Sequence, residues 1–245
     1  MSSGPRQVNA KSAPEQAAGQ SGRAEASLDA PKPEGADRWA EDDLVWGERL
    51  ADSEIFDADG GFWVFAYGSL MWDPGFPFVE RRMAALPGYR RSFCLWSIHY
   101  RGTPARPGLV LALDRDPEAA TRGVAYRVAP EAAAEARRYI AERELVSAAY
   151  FETTAWAEIA CAETGRELGR RRALTYVVDR SHRQYAGDLS LDQQSAVIAS
   201  SAGPKGPNWE YLHNTVAQLR SLGFAETDID DLGALDAAVK ARRGA

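Results

Sequence analysis

The sequence lacks the features that mark membrane proteins and secreted proteins. No run of about 18 apolar residues is present, so we expect no transmembrane helix. The N-terminal residues MSSGPRQVNA contain no apolar segment, so we expect no signal peptide. Two cysteines, Cys94 and Cys161, allow at most one disulfide and exclude a disulfide framework. These absences favour a cytoplasmic protein that does not interact with membranes.

Histidine is also scarce, and the sequence has no excess of basic residues. The three histidines, His99, His182 and His213, lack the spacing of a metal site, and the sequence contains no CxxC pair. Acidic residues outnumber lysine and arginine by 35 to 29, which leaves a net charge of -6. Because phosphate contacts need an excess of basic residues, this balance disfavours a nucleic-acid-binding function. We therefore predict no metal ligand and no nucleic-acid partner.

The first part of the chain differs in composition from the rest. Residues 1–37 are rich in small, polar and charged residues and have almost no large apolar ones, which predicts a disordered tail. A targeting or docking segment is the alternative, although the five acidic residues in this range disfavour a transit peptide. Residues 38–60 are predicted to form a short helical lead-in, with an amphipathic stretch at 39–50. Residues 61–245 are predicted to form the folded domain.

The order of the predicted elements indicates the fold class. Apolar runs and turn residues predict strands at 62–67, 80–86, 89–98, 108–114, 121–128, 150–160 and 172–179. Helices are predicted at 131–144, where Pro130 marks the start, and at 189–201, 208–222 and 227–242. The residues Asp114-Arg115-Asp116-Pro117 predict a turn between two of the strands. Strands and helices do not alternate, so we expect an α+β fold with a small, mostly antiparallel β-barrel flanked by helices.

A glycine turn directly follows the first predicted strand. In Tyr67-Gly68-Ser69-Leu70, the glycine allows a tight turn or a close approach to a ligand. Successive free N–H groups at such a strand end can bind a carboxylate or an oxyanion. An ordinary strand-to-loop turn, with Tyr67 in the core, is the alternative.

Glu144 stands apart from the other charged residues of its predicted helix. Four of these project from one face, at positions Glu131, Glu135, Arg138 and Glu142, whereas Glu144 falls close to the apolar arc that contains Ala133 and Ile140. Burial and the negative end of the helix dipole both disfavour a charged carboxylate, so we expect a raised pKa, as suits a general acid or base. The alternative is an ion pair with Arg143 or Arg137 that holds the helix end.

Two loops rich in proline and glycine are further candidates for ligand contacts. Residues 99–108 carry two arginines, Arg101 and Arg106, of which we favour Arg101 as a ligand for a substrate carboxylate. A surface hairpin with solvated charges is the alternative. Residues 202–212 lead into a helix for which Asn208 is the candidate N-cap, and the spacing does not match a P-loop. Cys94, within an apolar strand, is predicted to be packed and unreactive.

Taken in order, these segments resemble the ChaC-like, glutathione-specific gamma-glutamylcyclotransferases. The resemblance covers roughly residues 62–223 and includes the strand and turn at 63–72, the loop at 100–108, the helix end at 139–144 and the segments 202–204 and 208–212. The tail before residue 39 and the helix after residue 225 have no clear counterpart.

The resemblance implies an activity and a role for each matching residue. Glu144 corresponds to the catalytic glutamate, and the turn formed by Tyr67, Gly68, Ser69 and Leu70 to the loop that holds the gamma-glutamyl group. Tyr150, six residues after Glu144, resembles the tyrosine that follows the catalytic glutamate. The implied reaction releases 5-oxoproline and cysteinylglycine from glutathione and requires neither a metal nor a cofactor. Alternatives are a cyclotransferase for other gamma-glutamyl amines or dipeptides, and a non-catalytic module that binds a small acid.

Overall fold

The structure, a computed structural model, describes residues 49–145, 148–160, 167–225 and 229–244. The predicted tail lies outside these ranges, as does most of the predicted lead-in helix. The first described residues lead into a single helical turn, α1 (Asp52–Ile55). Within the described ranges, no helix is long and apolar enough to cross a membrane.

The remaining elements follow the predicted order. The strands are β1 (Phe62–Ala66), β2 (Glu80–Ser97), β3 (Gly108–Val128), β4 (Tyr150–Ala160), β5 (Glu167–Val178) and the two-residue strands β6 (Ala202–Gly203) and β7 (Gly206–Pro207). The helices are α2 (Pro130–Glu144), α3 (Leu191–Ser200), α4 (Asn208–Ser221) and α5 (Asp230–Gly244). A 3₁₀ turn covers Ser69–Met71, directly after β1.

Five strands form a closed barrel in the order β1-β3-β2-β4-β5. All neighbouring pairs are antiparallel except β1 and β5, which run parallel and close the barrel through the pairs Trp63–Ala173 and Val64–Leu174. Closure leaves no exposed sheet edge in the barrel. The predicted α+β class, with a small and mostly antiparallel barrel flanked by helices, is confirmed.

Strand β1 is apolar throughout because both of its faces are buried. Trp63 and Phe65 belong to a cluster whose members all lie on the five barrel strands or directly after β1, which places this cluster inside the barrel. Phe62 and Val64 point the opposite way and pack in the main core with residues of α2, α3, α4 and α5. Since successive side chains of a strand face opposite sides, a strand between two cores must be apolar at every position.

The predicted division of β2 and β3 into shorter strands is wrong. Both strands are continuous, and the residues from Asp114 to Pro117 form no turn between strands. The pairing runs from Pro87 opposite Ala120 to Tyr89 opposite Arg115, so the four residues 116–119 face the single residue Gly88. The turn-forming residues therefore make a bulge in a long antiparallel ladder, a role that Pro117 can fill because no ladder hydrogen bond is needed there.

Helix α2 has the predicted amphipathic pattern. Pro130 is its first residue, and the four charged side chains predicted to face solvent are exposed: Glu131, Glu135, Arg138 and Glu142. Ala133, Ala136 and Ile140 are buried in the main core. The helix thus docks by its apolar face, and its C-terminal end is held in a fixed position.

A buried ion pair joins α2 to the barrel. Arg137 pairs with Glu152 of β4 through two hydrogen bonds, and their side chains are 2% and 0% exposed. The Glu152 carboxylate also accepts hydrogen bonds from the hydroxyl of Tyr176 at 2.9 Å and from the backbone N–H of Leu50 at 2.8 Å. Arg137 in turn donates to the Leu50 carbonyl at 2.8 Å. This network joins four parts of the chain: α2, β4, β5 and the segment before α1.

Candidate active site

A cavity of about 640 Å³ lies where the end of β1, the end of α2 and the loop after β2 meet. Its volume falls within the range of about 300–1,000 Å³ that is usual for small-ligand sites. The structure brings together at its walls all seven residues that the sequence singles out: Tyr67, Gly68, Ser69, Leu70, Arg101, Glu144 and Tyr150.

The turn after β1 presents free backbone donors to the cavity wall. The N–H groups of Gly68, Ser69 and Leu70 have no hydrogen-bond partner in the described part of the chain. Gly68 has a φ of -128°, which does not require glycine, and a Cβ built on it meets no atom within 4 Å. The glycine therefore leaves open space beside the donors instead of allowing a tight turn. Donors next to open space can bind an anionic ligand group.

Glu144 is the last residue of α2 and lies on the cavity wall. Its side chain is 20% exposed, and no donor in the described chain forms a hydrogen bond with its carboxylate. Burial raises the pKa of Glu144 from 4.5 to about 7, while the nearby positive charge of Arg143 partly opposes the change. A carboxyl group with this pKa can both accept and donate a proton near neutral pH.

Arg143 connects the end of α2 to the glycine turn. Its guanidinium group donates to the Ser69 hydroxyl at 2.9 Å and to the Asp73 carbonyl at 2.7 Å. Its Nε lies 3.6 Å from the nearer carboxylate oxygen of Glu144, beyond hydrogen-bond distance. The alternative of an ion pair with Arg143 is confirmed in part, because the two charges are close but share no hydrogen bond. The alternative of an ion pair with Arg137 is wrong, because Arg137 is bound to Glu152.

Four tyrosines of the cavity wall lie near the carboxylate. The charge of Glu144 contributes to the pKa values of Tyr67, Tyr150, Tyr176 and Tyr211, all of which line the cavity. Burial is the main cause that raises the pKa of Tyr67 and Tyr150 well above the ordinary value, and that of Tyr211 to about 12. Their hydroxyl groups therefore stay protonated and can donate hydrogen bonds. The Tyr150 hydroxyl contacts the Leu111 carbonyl at 3.2 Å.

Sequence reasoning missed Tyr211 and Lys205 as cavity residues. Both lie within segment 202–212, which is a candidate for ligand contacts in the sequence but for which no contact residue is predicted. The sequence feature that could have identified them is the occurrence of a basic residue, Lys205, and an aromatic residue, Tyr211, in one segment rich in glycine and proline. The predicted N-cap is wrong: α4 begins at Asn208 itself, with Pro207 at the N-cap position. The Asn208 amide instead pairs with the backbone N–H and carbonyl of Leu109, both at 2.7 Å.

The loop at 99–108 separates its two arginines. Arg101 lines the cavity, donates to the Pro207 carbonyl at 3.2 Å and stacks on Tyr211 with 5.5 Å between its Cζ atom and the ring centroid. Arg106 lies on the exposed part of the loop and does not reach the cavity. The preference for Arg101 over Arg106 therefore agrees with their placement.

Cys94 is buried and unpaired, as predicted. Burial raises the pKa of its thiol to about 11, so the unreactive thiol form prevails at neutral pH. Cys161, the possible disulfide partner, lies outside the described residues.

Comparison with known proteins identifies related chains. A family model described as ChaC-like protein matches residues 62–242. The match extends beyond residue 223, so the expectation that the C-terminal helix lacks a family counterpart is wrong.

Two curated relatives and one solved structure illustrate the similarity. The glutathione-specific gamma-glutamylcyclotransferase of Escherichia coli is 33% identical over 71% of this chain and 72% of its own. Gamma-glutamylcyclotransferase 2-3 of Arabidopsis thaliana is 32% identical over 69% of this chain and 85% of its own. The crystal structure of a gamma-glutamyl cyclotransferase specific to glutathione from yeast has a TM-score of 0.65 and 29% identity, covering 75% of this chain and 97% of that chain.

Proposed function

Because the chain belongs to the ChaC-like protein family, we propose that it is a gamma-glutamylcyclotransferase that cleaves glutathione into 5-oxoproline and cysteinylglycine. The observation that carries the proposal is the position of Glu144, a carboxyl group with a pKa of about 7 on the wall of a cavity that also contains free backbone donors. The names of the relatives supply the substrate.

The reaction is an intramolecular aminolysis. The neutral α-amine of the gamma-glutamyl residue attacks its own γ-carbonyl carbon, and the new carbon–nitrogen bond closes a five-membered lactam. Glu144 accepts the proton that the amine loses and then delivers it to the cysteinyl nitrogen as the original amide bond breaks. No water is consumed, so the products together contain all the atoms of glutathione. Both catalytic proton transfers require one carboxyl group that titrates near the working pH.

The site contributes mainly by folding the substrate into a reactive conformation. A free gamma-glutamyl chain rotates about several bonds, and holding amine and carbonyl together can lower the barrier by about 7–11 kcal/mol. The N–H groups of Gly68, Ser69 and Leu70 are placed to hold the α-carboxylate or the oxyanion that develops on the γ-carbonyl. Tyr67 supplies a further hydroxyl donor, and Tyr150, whose hydroxyl donates to the Leu111 carbonyl, lines the cavity beside it. Arg143 holds the turn against the helix end.

The proposed setting is the cytoplasm, and the substrate is reduced glutathione. The buried, unpaired thiol of Cys94 is compatible with a reducing compartment.

Replacing Glu144 by glutamine tests the proposal because it keeps the size of the side chain and removes its proton transfer. We expect Glu144→Gln to lower kcat for glutathione by about a hundredfold or more. The matched control is Glu142→Gln on the same helix, where the carboxylate is exposed and pairs with Arg138 at 3.1 Å. Near-normal turnover by Glu144→Gln, or loss of turnover in Glu142→Gln, would contradict the assignment.

A further inference from the structure

One end of the cavity carries two cationic side chains without an anionic partner. Arg101 and Lys205 both line the cavity, and within the described chain no carboxylate lies within 4.0 Å of either. Among the described residues, the guanidinium group of Arg101 donates a hydrogen bond to the Pro207 carbonyl and lies over the ring of Tyr211. The Glu210 carboxylate is near Arg101, since a Cβ built on Gly206 would lie 3.1 Å from Glu210 and 3.5 Å from Arg101, but it does not line the cavity. The cavity wall at this end therefore carries two cationic side chains and no carboxylate among the described residues.

The opposite end of the cavity is balanced in charge. There Arg143 lies 3.6 Å from Glu144 and 3.8 Å from the carboxylate of Asp73. The charge of the cavity walls is therefore asymmetric, with the reacting end near neutral and the far end positive. A ligand complementary to this wall carries its negative charge at the end remote from Glu144.

The positive end is formed by two segments, 99–108 and 201–206, that are in direct contact. The Lys205 N–H donates to the Tyr100 carbonyl at 2.9 Å, and a Cβ on Gly203 would lie 2.5 Å from the carbonyl oxygens of both Tyr100 and Gly102. The Ser201 hydroxyl donates to the Pro107 carbonyl at 2.7 Å. The two backbones could not approach this closely with a side chain on Gly203. Because the loops contact each other closely, the backbones that carry the two cations need little ordering when a ligand binds.

Tyr211 is near charged groups at both ends of the cavity. Its ring stacks on Arg101, and the charges of Glu144 and Arg101 act on its hydroxyl in opposite directions. Tyr211 is therefore near enough to both charged groups to be affected by each. A substrate of three linked residues in an extended conformation spans roughly 10 Å. Such a substrate can reach past Tyr211 when its γ-carbonyl is at Glu144.

We propose that Arg101 and Lys205 form a subsite for the second carboxylate of the substrate, the one on the glycine of glutathione. The inference rests on the proposed function, since it assumes that a gamma-glutamyl group occupies the Glu144 end. The subsite selects substrates by the charge at the far end of the peptide. It makes Lys205 a specificity-determining residue that takes no part in the proton transfers.

The test compares glutathione with its C-terminal amide, which has the same shape but lacks the negative charge of the glycine. Steady-state kinetics with both compounds are measured for the wild-type protein and for Lys205→Met, Arg101→Met and the control Arg106→Met. Arg106 lies on the same loop as Arg101 but outside the cavity. Binding of both compounds to Glu144→Gln protein, with and without Lys205→Met, is measured by calorimetry, which does not depend on turnover.

We expect wild-type protein to prefer glutathione over the amide by about tenfold or more in kcat/KM, as fits the loss of a charge-assisted contact. Lys205→Met should reduce this preference by raising KM for glutathione, and it should change kcat/KM for the amide much less. Arg101→Met should reduce it further, and Arg106→Met should retain it. Equal use of both compounds by the wild type, or equal losses for both in Lys205→Met, would overturn the subsite.

Failure of the proposed function gives a different result. In that case neither compound is turned over, and the calorimetric comparison still decides about the subsite. A preference for glutathione over the amide that Lys205→Met abolishes supports it, and equal binding of the two compounds overturns it.

Discussion

Glu144 occupies a position that favours catalysis at the expense of stability. Its carboxyl group ends a helix inside a cavity, where burial raises the pKa to about 7. A group that is easier to protonate in the folded protein than in the unfolded chain destabilises the fold once both forms are ionised. The same burial that raises the pKa of Glu144 to near neutral pH therefore lowers the free energy of unfolding.

The stability effect depends on pH in a defined direction. Below the ordinary pKa of 4.5 the carboxyl group is protonated in both states and costs nothing, whereas between 4.5 and about 7 the unfolded chain loses its proton first. Stability is thus lost as the pH rises through this window. Compared with wild type, Glu144→Gln should be more stable by up to roughly 3 kcal/mol at about pH 8 and little changed at about pH 4. Urea unfolding at both pH values measures this, and an equal effect at both would exclude the mechanism.

Among single residues, periodicity identified Glu144 but could not identify its partners. The helical wheel placed Glu144 apart from the solvent-facing charges because that inference needs only the 100° rotation per residue. The neighbours of the carboxylate come from β1, β4 and α4, and no local pattern in the sequence specifies how these elements meet. Tyr211 was missed for this reason.

At the scale of elements, α2 depends on a buried charge pair as much as on its apolar face. Arg137 and Glu152 are almost completely enclosed and bonded to Tyr176 and to the backbone of Leu50. Removing one partner of a buried pair leaves an uncompensated charge, which costs more than losing both partners. The network fixes α2 at a point about two helical turns before Glu144.

We expect Arg137→Met to lower the free energy of unfolding by about 3–5 kcal/mol because Glu152 remains buried without its cation. The neighbouring variant Arg138→Met is the control; its side chain is 62% exposed, and its loss should cost less than about 1 kcal/mol. The double variant Arg137→Met with Glu152→Leu should recover much of the loss. Chemical denaturation of the three proteins measures this, and a double variant less stable than Arg137→Met would contradict the explanation.

Most helices and strands could be predicted from the sequence, but the division of the long strands β2 and β3 was wrong. Apolar alternation and Pro130 indicated the strands and α2 closely, since those signals are local. The turn expected at 114–117 proved to be a bulge, because residues that form turns also form bulges and only the pairing partner distinguishes the two. Here the partner strand β2 continues past Gly88, so the ladder resumes.

At the scale of the whole molecule, barrel closure assembles the site. The parallel pairing of β1 with β5 completes the barrel and places the turn after β1 beside the end of α2. Loops that are distant in sequence then meet at the same cavity, which is how Arg101 and Lys205 come together. The fold class followed from the order of the elements, whereas the substrate followed from the family resemblance and the curated relatives.

The most direct test of cyclising cleavage is to identify the products in isotopically labelled water. Purified protein is incubated with reduced glutathione in ¹⁸O-water, and the products are analysed by mass spectrometry. The account predicts 5-oxoproline and cysteinylglycine without ¹⁸O, and loss of both in the Glu144→Gln variant. Free glutamate carrying ¹⁸O would show hydrolysis instead and would contradict the account.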